Sequence, residues 1–222
     1  MEPVVKQVRA VIFDFGGVLC FHPDQARWER AAQAAGLPVS EFMSAFWTNR
    51  IRYDAGLCQP AEYWQAVART AGTRFDEQRL PTLIRSEIEL WNRYDARVFT
   101  WIDDLRTAGF RTAILSNLPD PLGKELRATP GFLDHFDHVT FSYELGVVKP
   151  QPEIYLDTIR GLDLPPGQAL FLDDRPDNIE GARATGLHAQ VYSDWEDFNA
   201  AGLPARYGLP APGLAEDVAR RQ

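Results

Sequence analysis

The spacing of its buried-strand patterns constrains this chain more than anything else in it. Ala10 to Phe13 is a run of apolar residues closed by Asp14, and the next such run, Thr112 to Leu115, is closed by Ser116. About 100 residues separate those two polar ends, where one strand–helix unit needs about 30. Three further runs follow at ordinary spacing: Val139 to Phe141, Ala169 to Leu172 and Ala189 to Tyr192. Short runs rich in β-branched and aromatic residues read as buried strands. Helical patterns separate them. Val98, Trp101, Ile102 and Leu105 recur at i, i+3, i+4, i+7 ahead of Gly109, and Ile154, Tyr155, Thr158, Ile159 and Leu162 form one stripe behind Pro152. A third helix is expected from Pro176 to Thr185, with Gly186 in the usual C-terminal capping place. Strand–helix alternation of this kind predicts an α/β fold, a Rossmann-like doubly wound parallel sheet.

The long gap contains no strand pattern. Phe42, Ala45 and Phe46, then Trp64, Val67, Ala68 and Ala71, then the stretch from Leu80 to Trp91 all show helical period. A helical bundle inserted after the first strand follows. The expected division is a core at residues 1–20 and 95–200, a helical cap at 21–94, and a tail at 201–222 that packs on the core or trails it. One short helix is expected near Asp194 to Ala200. Ligands bind at the carboxyl ends of strands in open parallel sheets, so the insert is placed to cover a site. A side domain that only stabilises the fold is the alternative.

Composition narrows the function classes. The 222 residues carry 23 basic and 31 acidic side chains, a net charge of −8, which disfavours a broad nucleic-acid or anionic-membrane surface. No apolar run approaches the ~20 residues of a membrane span. The opening residues, Met1 to Lys6, lack the basic and apolar stretches of a signal peptide, so a cytoplasmic protein is expected. Cys20 and Cys58 form neither a metal spacing nor a disulfide framework.

Polar residues then appear where the strands end. Asp14-Phe15-Gly16-Gly17 closes the first, Ser116-Asn117 the second and Asp173-Asp174 the fourth, with Asn178 just beyond; Lys149 lies in the loop Gly146 to Pro150. Alone, Asp14, Ser116-Asn117 and Lys149 are each more often a turn, a cap or a solvated residue, whereas the paired acids are costly unless they meet a cation or are well solvated. Gathered on one sheet edge, they make three carboxylates, a lysine, a hydroxyl and an amide. A divalent cation beside such a set suits a phosphate under attack, with a carboxylate as nucleophile forming an acyl phosphate.

These four pieces, in this order, resemble the motifs of the haloacid dehalogenase superfamily of aspartate-nucleophile hydrolases. The likeness runs from about Arg9 to Val191, and the helical insert looks like that superfamily's first cap type. The phrases Leu145 to Pro150 and Asp173 to Ala182 most resemble members of the glucose-1-phosphate phosphatase type and the N-terminal phosphatase domain of epoxide hydrolases. The resemblance implies a Mg²⁺-dependent phosphatase acting on a small phosphorylated metabolite, a sugar phosphate among the options. It implies Asp14 as nucleophile and metal ligand, Gly16 (through its carbonyl) and Asp174 as metal ligands, and Ser116, Asn117 and Lys149 as phosphate-binding residues. Asp173 and Asn178 would support them. One departure stands out: position 16 is glycine where the superfamily's phosphatases usually carry a general acid–base Asp, a group worth about 10² to 10⁴ in rate. His22 is a candidate replacement, with an ordinary surface histidine as the other reading. A 2-haloacid dehalogenase and a weakly active or non-catalytic binding member are the alternatives to a phosphatase. In the cap, Trp47, Arg50, Arg52 and Tyr53 form an aromatic and basic cluster that either faces the site or packs the cap.

Overall fold

The computed structural model describes residues 8–211. Five parallel strands, β1 (Ala10–Phe13), β2 (Arg111–Ser116), β3 (His138–Phe141), β4 (Ala169–Asp173) and β5 (His188–Val191), form one sheet in the order β3-β2-β1-β4-β5. The order reverses between β1 and β4, and the crevice beyond their carboxyl ends is where such sheets bind ligands. Register brings the polar ends together there: Phe13 pairs with Ile114 and with Leu172, so Asp14, Ser116 and Asp173 leave the sheet close to one edge.

All four residues of β1 are fully buried. Alternate side chains face opposite sides of a strand, so a strand covered on both faces needs a continuous apolar run. Ala10 and Ile12 pack into one layer with α9 (Pro152–Leu162) and α10 (Pro176–Ala184). Val11 and Phe13 face the other layer, which holds α6 (Ala96–Thr107), α7 (Asp120–Ala128) and α11 (Trp195–Ala200). A short α8 (Ser142–Leu145) follows β3, and α12 (Leu203–Arg206) precedes the last described residues.

Between β1 and α6 lie five helices: α1 (Gln25–Ala35), α2 (Val39–Thr48), α3 (Arg50–Asp54), α4 (Pro60–Thr70) and α5 (Leu80–Leu90). Their interior is aromatic. Trp28 meets Phe46 edge to face at a ring-centroid distance of 5.5 Å, Phe42 lies 5.7 Å from Phe46, and Tyr63 meets Trp64 edge to face at 5.2 Å. Edge-to-face contact sets the positive rim of one ring against the negative face of the next. This cluster is continuous with the Val11/Phe13 layer. Where the insert leaves and rejoins the core, its two ends run side by side. Phe21 N–H donates to the Arg93 carbonyl (2.9 Å) and Asp95 N–H to that of Leu19 (3.0 Å).

Strand boundaries differ from the sequence reading by one residue in places. β5 runs from His188 to Val191, and Tyr192 lies past its end; β4 continues into Asp173. Pairing with β4, which matches Leu170 to His188, fixes that frame more than hydrophobicity does. Neither α1 nor α3 carries a strong apolar period: three of the four residues that α1 buries are alanines. Cys20 and Cys58 are free thiols. The tail packs on the core through Leu203, Leu209 and a hydrogen bond from Trp101 Nε1 to the Pro210 carbonyl, while Pro212 and the rest of the expected tail lie outside the described residues.

Candidate active site

Asp14 stands at the carboxyl end of the central strand. Its Oδ1 accepts the Phe15 N–H at 2.7 Å and lies 2.7 Å from Lys149 Nζ. Both contacts fall on that one oxygen, and neither on Oδ2. Burial pushes the Asp14 carboxyl up to about 7, against the pull of Lys149 and with added push from Asp173 and Asp174.

Lys149 reaches this point because its backbone is clamped to the end of β2. Asn117 accepts the Lys149 N–H (2.8 Å) and donates its amide to the Lys149 carbonyl (3.1 Å). The ammonium is buried between Asp14 and Asp173, 2.7 Å from each, and also donates to the Leu115 carbonyl. Burial alone would lower its pKa; the two carboxylates outweigh that and raise it.

Asp173 has no exposed side-chain surface. It accepts from Lys149 Nζ, from the Arg175 N–H and, on both oxygens, from Asn178 Nδ2 at 3.0 Å. Asn178 thus steadies Asp173, which in turn steadies Lys149. Asp174 is partly exposed and sits 3.2 Å from His22 Nε2. That contact raises the His22 pKa.

One carboxylate oxygen from each of Asp14, Asp173 and Asp174 lies within 4.8 Å of the others. Three acids so close repel one another, and one ammonium cannot offset all three; the set fits a hard divalent cation. Gly17 leaves the room that the His22–Asp174 contact takes. Its φ is +78°, and a Cβ there would come 2.6 Å from His22 Nε2 and 3.0 Å from the Asp174 carboxyl carbon.

Above these groups is a cavity of about 680 Å³ that Asp14, Gly16, His22, Ser116, Asn117, Lys149, Asp174 and Asn178 line together. Asp173 lies behind Lys149, not on the wall. The cap supplies part of the roof, and the structure divides the aromatic and basic cluster between the two readings that the sequence left open. Trp47 and Arg50 line the cavity; Arg52 and Tyr53 do not. Tyr53 stacks on Tyr63 at 4.0 Å in the cap interior, and Arg52 donates to the Leu57 carbonyl. Arg50 is itself a packing residue, ion-paired with Asp54 (2.8 Å) and Glu87 and lying 4.7 Å over the Phe46 ring. The sequence reading missed Ile51, Trp91, Leu118 and Leu122 on the cavity wall, because their apolar character is also that of core residues.

Comparison with known proteins agrees with this geometry. The family model described as haloacid dehalogenase-like hydrolase matches residues 8–186. Mouse acyl-CoA dehydrogenase family member 10 is 29% identical over 92% of this chain, although the chain spans only 20% of that protein's length. The D-ribitol-5-phosphate phosphatase of Bacteroides thetaiotaomicron is 25% identical over 85% of this chain and 95% of its own. A solved HAD family enzyme from the same organism, complexed with magnesium and inorganic phosphate, has the same fold, with a TM-score of 0.69 at 21% identity over 86% of this chain and 98% of that one. With most of its length matched by the family model and its strand-end residues gathered at one edge, this chain belongs to the haloacid dehalogenase-like hydrolase family.

Proposed function

We propose that this protein is a Mg²⁺-dependent phosphatase that hydrolyses a small phosphate monoester through an aspartyl-phosphate on Asp14. The observation that carries the reading is the asymmetric hold on Asp14: Phe15 N–H and Lys149 both engage Oδ1, which leaves Oδ2 to attack. The phosphatase name of the bacterial relative and the magnesium and phosphate in the solved neighbour support it.

In this reading Oδ2 forms a bond to phosphorus as the bond to the ester oxygen breaks, and the departing alkoxide takes a proton from solvent or from His22 and leaves as the alcohol. Water then attacks the acyl phosphate, releasing inorganic phosphate and restoring the carboxylate. Lys149, with Ser116 and Asn117 at the β2 end, holds the phosphoryl oxygens. Asp14, the Gly16 carbonyl and Asp174 would hold Mg²⁺, which supplies positive charge where two anions must meet. Asp173 and Asn178 fix the position of Lys149. A halide-displacing reaction has no use for this acidic cluster. A weakly active binding protein is the second reading, and the glycine at position 16 is the observation that favours it.

The test is turnover of acetyl phosphate and p-nitrophenyl phosphate with Mg²⁺ and with chelator. Asp14→Asn should lower kcat about 10³-fold or more and abolish trapping of a phosphorylated protein by acid quench. Trapped phosphate that persists in that variant, or turnover indifferent to chelation, would remove the reading.

A further inference from the structure

Beyond the acidic floor, the cavity wall changes character. Trp47 and Ile51 come down from the cap, Trp91 from the segment that rejoins the core, and Leu118 and Leu122 from the start of α7 and the loop before it. Trp47 and Ile51 are 46% and 73% exposed, among the few large apolar side chains that the described residues leave open to solvent. Isolated exposed hydrophobics are ordinary, but these two sit close together in sequence and line the same cavity as the nucleophile. Trp47 is held in place by edge-on contact with Trp91 (6.4 Å), Trp28 (6.2 Å) and Phe46 (5.1 Å). It is therefore a fixed wall.

The charged side chains on the cap side of the wall, Arg50 and Asp54, are nearly buried and turned onto each other. Arg50 and Asp54 pair with each other at 2.8 Å, and Arg50 also pairs with Glu87. Their side chains are only 8% and 11% exposed. A polyhydroxylated ligand would place hydroxyls against indole and alkyl surface and forfeit their hydrogen bonds to water. A hydrocarbon ligand would cover that surface and lose nothing.

Resting on the phosphatase reading above, we infer that the organic part of the substrate is hydrocarbon, an alkyl or aryl phosphate and not a sugar or polyol phosphate. The phosphate sits on the acidic floor, and the hydrocarbon lies between the Trp47–Ile51 face of the cap and the Leu118–Leu122 face of the core. The inference departs from the sugar phosphate, one of the options that the resemblance implied.

The test uses the full chain with Mg²⁺ and two matched series. The first measures kcat/KM for ethyl to octyl phosphate, with propyl phosphate against glycerol 1-phosphate and hexyl phosphate against glucose 6-phosphate. The second measures binding of ethyl- to octylphosphonate by calorimetry, which needs no turnover. Each added methylene should raise kcat/KM and affinity about fourfold until the cavity is filled, a step that matches the transfer of one CH₂ out of water. Hexyl phosphate should exceed glucose 6-phosphate at least tenfold. Ile51→Ser, at an exposed position where folding is not at risk, should flatten the chain-length slope. Equal kcat/KM across the alkyl series, or a preference for the hydroxylated partner, would overturn the inference while acetyl phosphate turnover kept the phosphatase reading intact. Rising phosphonate affinity without turnover of any ester would support the hydrocarbon site and sink the phosphatase reading. Flat phosphonate affinity would overturn the hydrocarbon site whatever the turnover.

Discussion

The indole of Trp91 fills the space into which a side chain at position 16 would grow. A Cβ on Gly16 would lie 3.1 Å from Trp91 Cζ3, with Cε3 and Cη2 of the same ring next nearest. The glycine is therefore half of a steric pair, and the place of an acid–base carboxyl is occupied by a ring that also walls the cavity.

That pairing predicts a non-additive result. Gly16→Asp alone should destabilise the fold by about 1–3 kcal/mol, the usual range for overpacking, and should not speed turnover. Combined with Trp91→Ala, the carboxyl gains room. The double variant should then raise kcat on esters with poor leaving groups at least tenfold over Trp91→Ala alone, with little gain on p-nitrophenyl phosphate. Equal gains on both kinds of ester would argue against acid catalysis from position 16.

Asp173 is expected to matter through Lys149. Asp173→Ala removes one of two carboxylates from a buried ammonium and should cost about 3–5 kcal/mol in urea unfolding. Asn178→Ala leaves the ion pair but frees both Asp173 oxygens of their amide partner, and about 1–3 kcal/mol is expected. If both variants unfold like the parent, the hold on Lys149 lies elsewhere.

Metal binding should release protons in a pH window set by Asp14. Its carboxyl is pushed up to about 7, so with Asp14 as the proposed ligand a cation has to displace a proton from it below that pH. Mg²⁺ affinity is expected to fall about tenfold between pH 8 and pH 6. Titration calorimetry in buffers of different ionisation enthalpy should report close to one proton released at pH 6 and almost none at pH 8.5.

The cap carries its own pH dependence. One guanidinium, Arg50, faces two buried carboxylates, Asp54 and Glu87. Burial pushes Asp54 up to about 7 and raises Glu87 as well, each against the pull of Arg50. A pKa above its unfolded value means that the stability Asp54 contributes is present at low pH and is lost as pH rises through about 7. Asp54→Asn cannot ionise. Its urea midpoint should therefore gain on the parent's between pH 5 and pH 8, and a constant difference would contradict the raised pKa.

The framework was legible because its signals are local. Asp14, Ser116 and Asp173 each interrupt an apolar run at a strand end, and a parallel sheet carries all such ends to one edge. The gap between Asp14 and Ser116 announced the insert for the same reason. The wall of the cavity was not legible. Trp91 and Leu118 carry the signal of any core residue, and nothing local distinguishes a tryptophan against Gly16 from one in a helix interior. Nor does spacing reveal that Arg50 meets Glu87, which lies on a different helix of the cap. Sequence also left open whether Trp47, Arg50, Arg52 and Tyr53 face the site or pack the cap; α3 divides the last three, with Arg50 on the cavity side and Arg52 and Tyr53 carried away from it.

The side-by-side crossing of residues 19–21 with residues 93–95 makes the helical insert a cassette on a single stem. A cassette so attached can be exchanged for another without lengthening any connection in the sheet, since its two ends already meet. The same stem is rooted just past Asp14, so whatever insert it carries is tethered beside that carboxylate.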